Sequence, residues 1–182
     1  SGAYTPAENT YKVSQPRTDV KVTVEGRTLH PFLGLTSWAA FTHTPGHGLM
    51  VMGDLVLLDD EVNPVLSAAL DNGLEVTALH NHFFYESPRV MFMHIGGSGS
   101  LEKLAGAVGK ATDVVLSIRK ASPSVASRFA GAPAPEASSI AAAALDGILG
   151  VKGQVSSGMY KVSIGRTAQM HGSKVGNAMG VN

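Results

Sequence analysis

Alternating and continuous apolar stretches divide the first half of the chain into predicted strands. Residues 10–15 and 19–24 predict two short strands, and the second alternates Val20, Val22 and Val24 with polar residues. Residues 49–58 are almost uninterruptedly apolar, which is typical of a strand that is covered on both faces. This part of the chain therefore predicts a sheet with a buried central strand.

Helical periodicity follows directly after the buried strand. Asp59 or Asp60 is expected to cap a helix that continues to about Asn72, where Gly73 ends it. A second helix is predicted from residue 101 to 111, with a continuation toward 120 left open, after a glycine-rich turn at 96–100. A third, alanine-rich helix is predicted over residues 140–149.

A predicted hairpin lies between the first two helices. Residues 74–82 and 89–96 have strand character, and residues 83–88 form the turn between them. Strand alternation then places His80 and His82 on one face, with His80 opposite His94 and His82 opposite Phe92. Met93 falls on the other face, as core.

Three imidazoles on one face predict a metal site. Directly opposed residues have Cβ atoms about 4.5–5.5 Å apart, so His80, His82 and His94 can converge on one ion, with Glu86 as a fourth ligand. Imidazole suits zinc, copper, iron and nickel, and three histidines with an open position is a catalytic pattern. A set of His80, His82 and Glu86 would instead fit non-haem iron. In a third interpretation, the histidines are hydrogen-bonded groups without an ion.

Other polar residues near the hairpin are candidates for supporting roles. Glu86 is a candidate catalytic base beside a metal. Arg89 and Asn81 are candidate substrate-binding residues, although Arg89 could instead pair with a nearby glutamate. Asn81 and Asp54 could also hydrogen-bond to the histidines.

Two further histidines, His43 and His47, lie four apart in a loop with proline and glycine. They would suit a surface metal clip, but an exposed pair of this kind is more often incidental.

Composition narrows the classes of partner. Lysine plus arginine and aspartate plus glutamate number 14 each, so there is no basic field to attract nucleic acid or an anionic membrane. No apolar run approaches the roughly 20 residues that span a bilayer. Cysteine is absent, which excludes disulfides and thiolate metal sites. The expected partner is a metal ion or a small-molecule ligand.

The end of the chain repeats part of its beginning. Residues 160–163, Tyr-Lys-Val-Ser, duplicate residues 11–14, and Arg166-Thr167 duplicates Arg17-Thr18 at the same offset. We therefore expect a main domain at 1–120, a linker at 121–139, and a helix with a truncated repeat at 140–182. The repeat should add strands to the main sheet, within one subunit or by exchange in a homodimer. The predicted class is α+β, with two or three helices packed on a mixed or antiparallel sheet.

Four segments carry a family resemblance: residues 53–57, 60–65, 75–82 and 86–94. They are similar to the signature of the LppY/LpqO family of bacterial exported proteins and lipoproteins. That resemblance implies a periplasmic or envelope location and two similar halves, each with a histidine hairpin. In this chain the second half has only His171. The resemblance implies no settled activity.

Two functional interpretations and a structural one follow from the sequence. The first is an exported metal-binding protein with zinc or copper as its cofactor. The second is a metal-dependent enzyme that acts on a small envelope substrate, hydrolytic with zinc or oxidative with copper or iron. The third is a structural or ligand-binding protein without metal.

Overall fold

The computed structural model describes residues 1–46, 48–123, 137 and 139–181. Its centre is a sheet of six strands, which are β1 (Gly2–Thr5), β2 (Thr10–Pro16), β5 (Thr36–Thr44), β6 (Gly48–Leu58), β7 (Glu75–His80) and β9 (Val90–Gly99). They lie in the order β1-β2-β5-β6-β9-β7, and every pairing in the sheet is antiparallel. A smaller sheet contains β3 (Thr23–Val24), β4 (Arg27–Thr28) and β8 (Glu86–Ser87).

The described residues also form three helices, which confirms the α+β prediction. They are α1 (Asp59–Asp71), α2 (Leu101–Ala121) and α3 (Ala142–Leu149). Helix α1 begins at Asp59 with Leu58 as its N-cap, so the expected cap at Asp59 or Asp60 is wrong by one or two residues, whereas the predicted end is within one residue. Helix α2 extends through the stretch that the sequence left open. None of the helices in the described ranges is long and apolar enough to cross a membrane.

Helices α1 and α2 cover one face of the sheet and form the main core with it. Val65 and Ala69 of α1 and Leu104 of α2 pack on Leu55 and Met93 of the central strands. All five side chains are at most 2% exposed. Met93 thus lies on the helix side, as the strand alternation predicted.

The prediction of a glycine-rich turn at residues 96–100 is wrong. Strand β9 continues through the glycines to Gly99, and only Ser100 lies outside it, where its hydroxyl accepts a hydrogen bond from Lys103 N at the start of α2. A Cβ on Gly97 would lie 3.3 Å from Leu104. Glycine is therefore used here for close helix-to-sheet packing.

The hairpin forms, but its register differs from the prediction. His80 pairs with Phe92, and Ala78 pairs with His94. A β-bulge between Val76 and Ala78 shifts the alternation, so Val76 packs on the helix side while His80 and His94 share the opposite face. A bulge inserts one unpaired residue and cannot be seen in a simple alternating pattern.

Two separate apolar clusters cover the face opposite the helices. The first forms under residues 17–35 and includes Val22, Leu35 and Phe92. The second forms under the end of the chain and includes Met50 and Met179. The sheet face between the two clusters stays open to a cleft.

The expectation that the C-terminal strands extend the main sheet of the same chain is wrong, whereas strand exchange in a homodimer stays a prediction. Strands β10 (Gln154–Ser156) and β11 (Met159–Lys161) pair with each other, as do β12 (Ala168–Met170) and β13 (Ser173–Val175). The segment lies across the sheet face, where Val175 and Met179 bury apolar surface against Ala40. The C-terminal segment is therefore attached by apolar burial on the face of the main sheet and not by hydrogen bonds to one of its edge strands. Most of the predicted linker, residues 124–136 and 138, lies outside the described residues.

Candidate functional site

One row of side chains crosses the open face of the sheet. Ser14 pairs with Trp38, Trp38 with Asp54, and Asp54 with His94, and Ala78 pairs with His94 on its other side. Directly paired residues point to the same side of a sheet. The row therefore brings polar groups from strands that are far apart in sequence to the floor of one cleft.

Three imidazoles meet at one end of this row. His80 Nε2 and His94 Nε2 are 2.9 Å apart, and one ligand nitrogen from each of His80, His82 and His94 lies within 4.8 Å of the other two. His80 and His94 are half-buried, whereas His82 is exposed in the connection after β7. The structure thus brings together the three histidines that the sequence singled out.

Ring stacking fixes the position of His82 although it lies outside a strand. Its ring is 3.6 Å from that of Phe92, centroid to centroid, with 1° between the planes. His82 also stacks on His80 at 5.1 Å, and His80 stacks on His94 at 4.9 Å. The buried Phe92 therefore acts as a platform for the exposed member of the group.

Charge around the site is set by burial and by Asp54. Burial raises the pKa of the Asp54 carboxyl, and positive charge on the nearby histidines and on Lys12 opposes that rise. Although the edge of the His82 ring is exposed, partial loss of water around the ring lowers its pKa, which favours the neutral imidazole that binds metals. Asp54 Oδ1 is buried and has no hydrogen-bond partner.

The donor set fits a divalent transition metal. Two nitrogens bound to zinc at about 2.0–2.1 Å with tetrahedral geometry are about 3.3–3.4 Å apart. The nitrogens of His80 and His94, 2.9 Å apart in a hydrogen bond, would separate slightly to bind one ion, and the third nitrogen lies within 4.8 Å of both. Neutral nitrogen donors suit zinc and copper better than the hard cations magnesium and calcium.

The other predicted site residues lie around the hairpin rather than in the histidine group. Glu86 is in β8, which pairs with β3, and the group of nitrogens within 4.8 Å of one another does not include its carboxylate. Asn81 donates a hydrogen bond to Phe83 O at 2.8 Å, so its amide braces the loop. Arg89 is exposed immediately before β9. Of the carboxylates considered, Asp54 is the one that faces the cleft with His82 and His94.

The remaining histidines are elsewhere. His43 is exposed on β5, and His47, its partner in the suggested clip, lies outside the described residues. His30 accepts a hydrogen bond from Phe32 N through Nδ1 and so caps a short 3-10 turn. His171 lies in the turn between β12 and β13 with a positive φ of 48°.

A cleft with a volume of about 740 Å³ opens beside the histidines. His82, His94 and Asp54 line one end, and Lys12 and Lys161 line it as well. Neither lysine is among the residues that the sequence patterns predict for a site. The repeated Tyr-Lys-Val-Ser motif carried the available signal, because it put a lysine at the same position in both copies.

A family model matches the main part of the chain. The model of a family described as Domain of Unknown Function (DUF1259) matches residues 2–114, which contain the whole main sheet and all three histidines of the site. No curated protein and no solved structure matches the chain.

Proposed function

The chain belongs to the Domain of Unknown Function (DUF1259) family, since the match spans more than half of it, and we propose that this protein binds a divalent transition metal, zinc or copper, through His80, His82 and His94. The observation that carries the proposal is the mutual approach of three imidazole nitrogens within 4.8 Å. The 2.9 Å contact between His80 and His94 is a hydrogen bond when both rings are neutral, and the third ring brings the number of nitrogens to the three that catalytic zinc sites use.

The surroundings of the three rings support a metal role. The His82 ring stacks on the ring of Phe92, and the Asp54 carboxylate adds negative charge beside His94. Three protein ligands leave a position open on a four-coordinate ion, and that position would face the cleft lined by His82 and His94. A bound ion is therefore expected to exchange with, or act on, small molecules in the cleft.

Metal content of the purified protein tests this proposal. Untagged protein prepared without chelators should contain close to one zinc or copper ion per chain by plasma mass spectrometry. His80→Ala and His94→Ala should each lose it, whereas the controls His43→Ala and His171→Ala should keep it. Metal-free wild type that takes up neither ion from solution would refute the proposal.

A metal-dependent enzyme is the second candidate. Its support is the 740 Å³ cleft beside two of the three histidines, which exceeds what ion storage requires. Zinc supplies Lewis acidity and an activated water, whereas copper or iron supplies redox chemistry. In either case the carboxyl of Asp54, whose Oδ1 has no hydrogen-bond partner, is placed to hold a proton in the cleft, a role that the sequence alone predicts for Glu86.

Hydrolysis of small carboxylic and phosphate esters by the zinc-loaded protein tests the hydrolytic form of this candidate. Turnover should disappear in His82→Ala and fall in Asp54→Asn. A copper-loaded sample assayed for oxidation of small phenols tests the oxidative form. Stoichiometric metal without turnover in either assay would leave metal binding as the function.

An exported location remains part of the proposal through the resemblance to the LppY/LpqO family. Fractionation of a native bacterial host should place the protein in the envelope or periplasmic fraction. Recovery in the cytoplasmic fraction alone would contradict this.

A further inference from the structure

The beginning and the end of the chain share local geometry as well as a motif. The backbone hydrogen bond from Arg17 N to Leu35 O has a counterpart from Arg166 N to Val181 O, and both are 2.9 Å long. The intervening chain shows the same features in the same order. Each copy has a tight hairpin turn with two consecutive positive φ angles, 49° and 79° at residues 25–26 and 48° and 78° at 171–172.

Each copy also ends with the same short structure. A 3-10 turn at Pro31–Leu33 is closed by Gly34, and another at Asn177–Met179 is closed by Gly180. Both glycines have positive φ and donate their N–H groups to the first residue of the turn. Two versions of one structural unit therefore cover the two ends of the open sheet face.

Equivalent residues of the two units line the same cleft. Lys12 and Lys161 are separated by the same offset as Ser14 and Ser163, and all four are part of the lining. Gly34 and Gly180 line it too. The cleft thus has an approximate internal symmetry, with one lysine and one serine from each unit.

Both ammonium groups lie against aromatic rings. Lys12 Nζ is 4.0 Å from the centroid of the Trp38 ring, and Lys161 Nζ is 5.1 Å from that of Phe32. Lys161 Nζ also donates to Phe32 O at 3.5 Å. Within the described ranges, no ion pair includes either lysine.

The two lysines influence each other. Burial lowers the pKa of Lys12, and the positive charge of Lys161 lowers it further. The negative charges of Asp54 and Glu8 oppose this, but Glu8 is engaged with Ala178 N at 2.6 Å. Two cations that face one cleft and repel each other form an electrostatic site for an anion.

We propose that the cleft binds a small molecule through an oxyanion group, either a phosphate ester or a carboxylate, which lies between Lys12 and Lys161 and accepts hydrogen bonds from Ser14 and Ser163. The rest of the ligand extends along the row of Trp38 and Asp54 toward the histidines. This inference rests on the proposed metal function, because it takes the histidine end of the cleft to be a metal site. It adds to that function the class of small molecule that the cleft binds.

The main test uses inorganic phosphate and succinate as probes of the two kinds of oxyanion. Full-length protein, freed of metal by dialysis against a chelator, is titrated with each anion at neutral pH and low ionic strength by calorimetry. Wild type should bind at least one of them saturably, and the tighter probe names the ligand class. Lys12→Met combined with Lys161→Met should weaken that binding at least tenfold.

Matched controls separate local charge from net charge. Lys21→Met combined with Lys120→Met removes the same total charge from exposed positions and should leave anion affinity unchanged. Because Lys12 is partly buried, Lys161→Met alone, at an exposed position, gives a second variant that is expected to fold. Ser14→Ala with Ser163→Ala should weaken binding severalfold. No saturable binding of either anion, or equal weakening by the control pair, would overturn the inference.

Zinc uptake measured on the same samples keeps the two proposals distinguishable. The double lysine variant should take up zinc like wild type, because it retains all three histidines. Anion binding without zinc uptake would refute the metal proposal alone, whereas zinc uptake without anion binding would refute this inference alone.

Discussion

His82 lies flat against Phe92, with ring centroids 3.6 Å apart and 1° between the planes. Phe92 is fully buried, and His82 is exposed in the connection between two strands. A fully buried residue of the core therefore fixes the position of the exposed ring in the histidine group. This arrangement makes Phe92 a positioning residue for the proposed metal site.

Phe92→Leu should lower zinc affinity by about 10- to 100-fold, the range typical of residues that orient metal ligands. Calorimetric titration with zinc measures the effect. Val22→Ala, in the same apolar cluster but without a described contact to the histidine rings, should destabilise the fold and keep zinc affinity. Equal losses in the two variants would show that general destabilisation is the cause.

Asp54→Asn should weaken zinc binding about tenfold while leaving the metal-free fold intact. The carboxylate contributes negative charge beside His94, whereas its Oδ1 makes no hydrogen bond that the fold would lose. Zinc titration and thermal unfolding of the metal-free protein measure the two effects. Unchanged zinc affinity would remove Asp54 from the site.

Glu61 holds a buried ion network away from the histidine site, and substitutions of it should destabilise the fold. It is fully buried, hydrogen-bonds to Arg17 at 2.7 and 2.9 Å, and lies 2.7 Å from Arg119 Nε. It also accepts a hydrogen bond from Leu58 N at the start of α1.

Glu61→Gln should cost about 3–5 kcal/mol of unfolding free energy, because it leaves two buried arginines without a full counter-charge. Urea denaturation of the metal-free protein measures this. Glu102→Gln, on the exposed start of α2, serves as the control and should leave the free energy of unfolding nearly unchanged.

Low pH should weaken the ion pair between Asp19 and Arg17, which belongs to the same network as Glu61. Burial would raise the pKa of this carboxyl, but hydrogen bonds and the charge of Arg17 outweigh it and lower the pKa. A lowered folded-state pKa stabilises the protein above the unfolded-state pKa, and this contribution is lost as pH falls through the folded-state value.

Wild type should therefore be more stable than Asp19→Asn at neutral pH, with a difference that disappears as the pH falls into the acid range. The Asp19 side chain is 40% exposed, so the difference should stay below about 1 kcal/mol. Urea denaturation of both proteins over a pH series measures it. A difference that persists at the lowest pH would contradict this account.

Local sequence patterns were sufficient to predict the helices and the central strand. The apolar stripe and the flanking acids and glycine placed both ends of α1 within two residues, and the continuous apolar run located β6. The hairpin register was not accessible, because a single bulge between Val76 and Ala78 reverses the faces without leaving a mark in composition.

Only the part of the site formed by residues close together in the sequence was predictable. His80, His82 and His94 lie within one hairpin, so their spacing was sufficient to bring them together. The cleft depends on contacts between residues more than a hundred positions apart, such as Lys161 with Phe32. Strand alternation describes each strand alone and does not say which distant segment will cover it.

The most direct test of the central claim is X-ray absorption spectroscopy at the zinc edge on the zinc-loaded protein. The predicted spectrum shows three imidazole nitrogens at about 2.0–2.1 Å and one oxygen donor. His80→Ala, His82→Ala and His94→Ala should each reduce the imidazole count or abolish zinc binding. A wild-type spectrum with fewer than three imidazoles, or one that all three substitutions leave unchanged, would contradict a metal centre built on His80, His82 and His94.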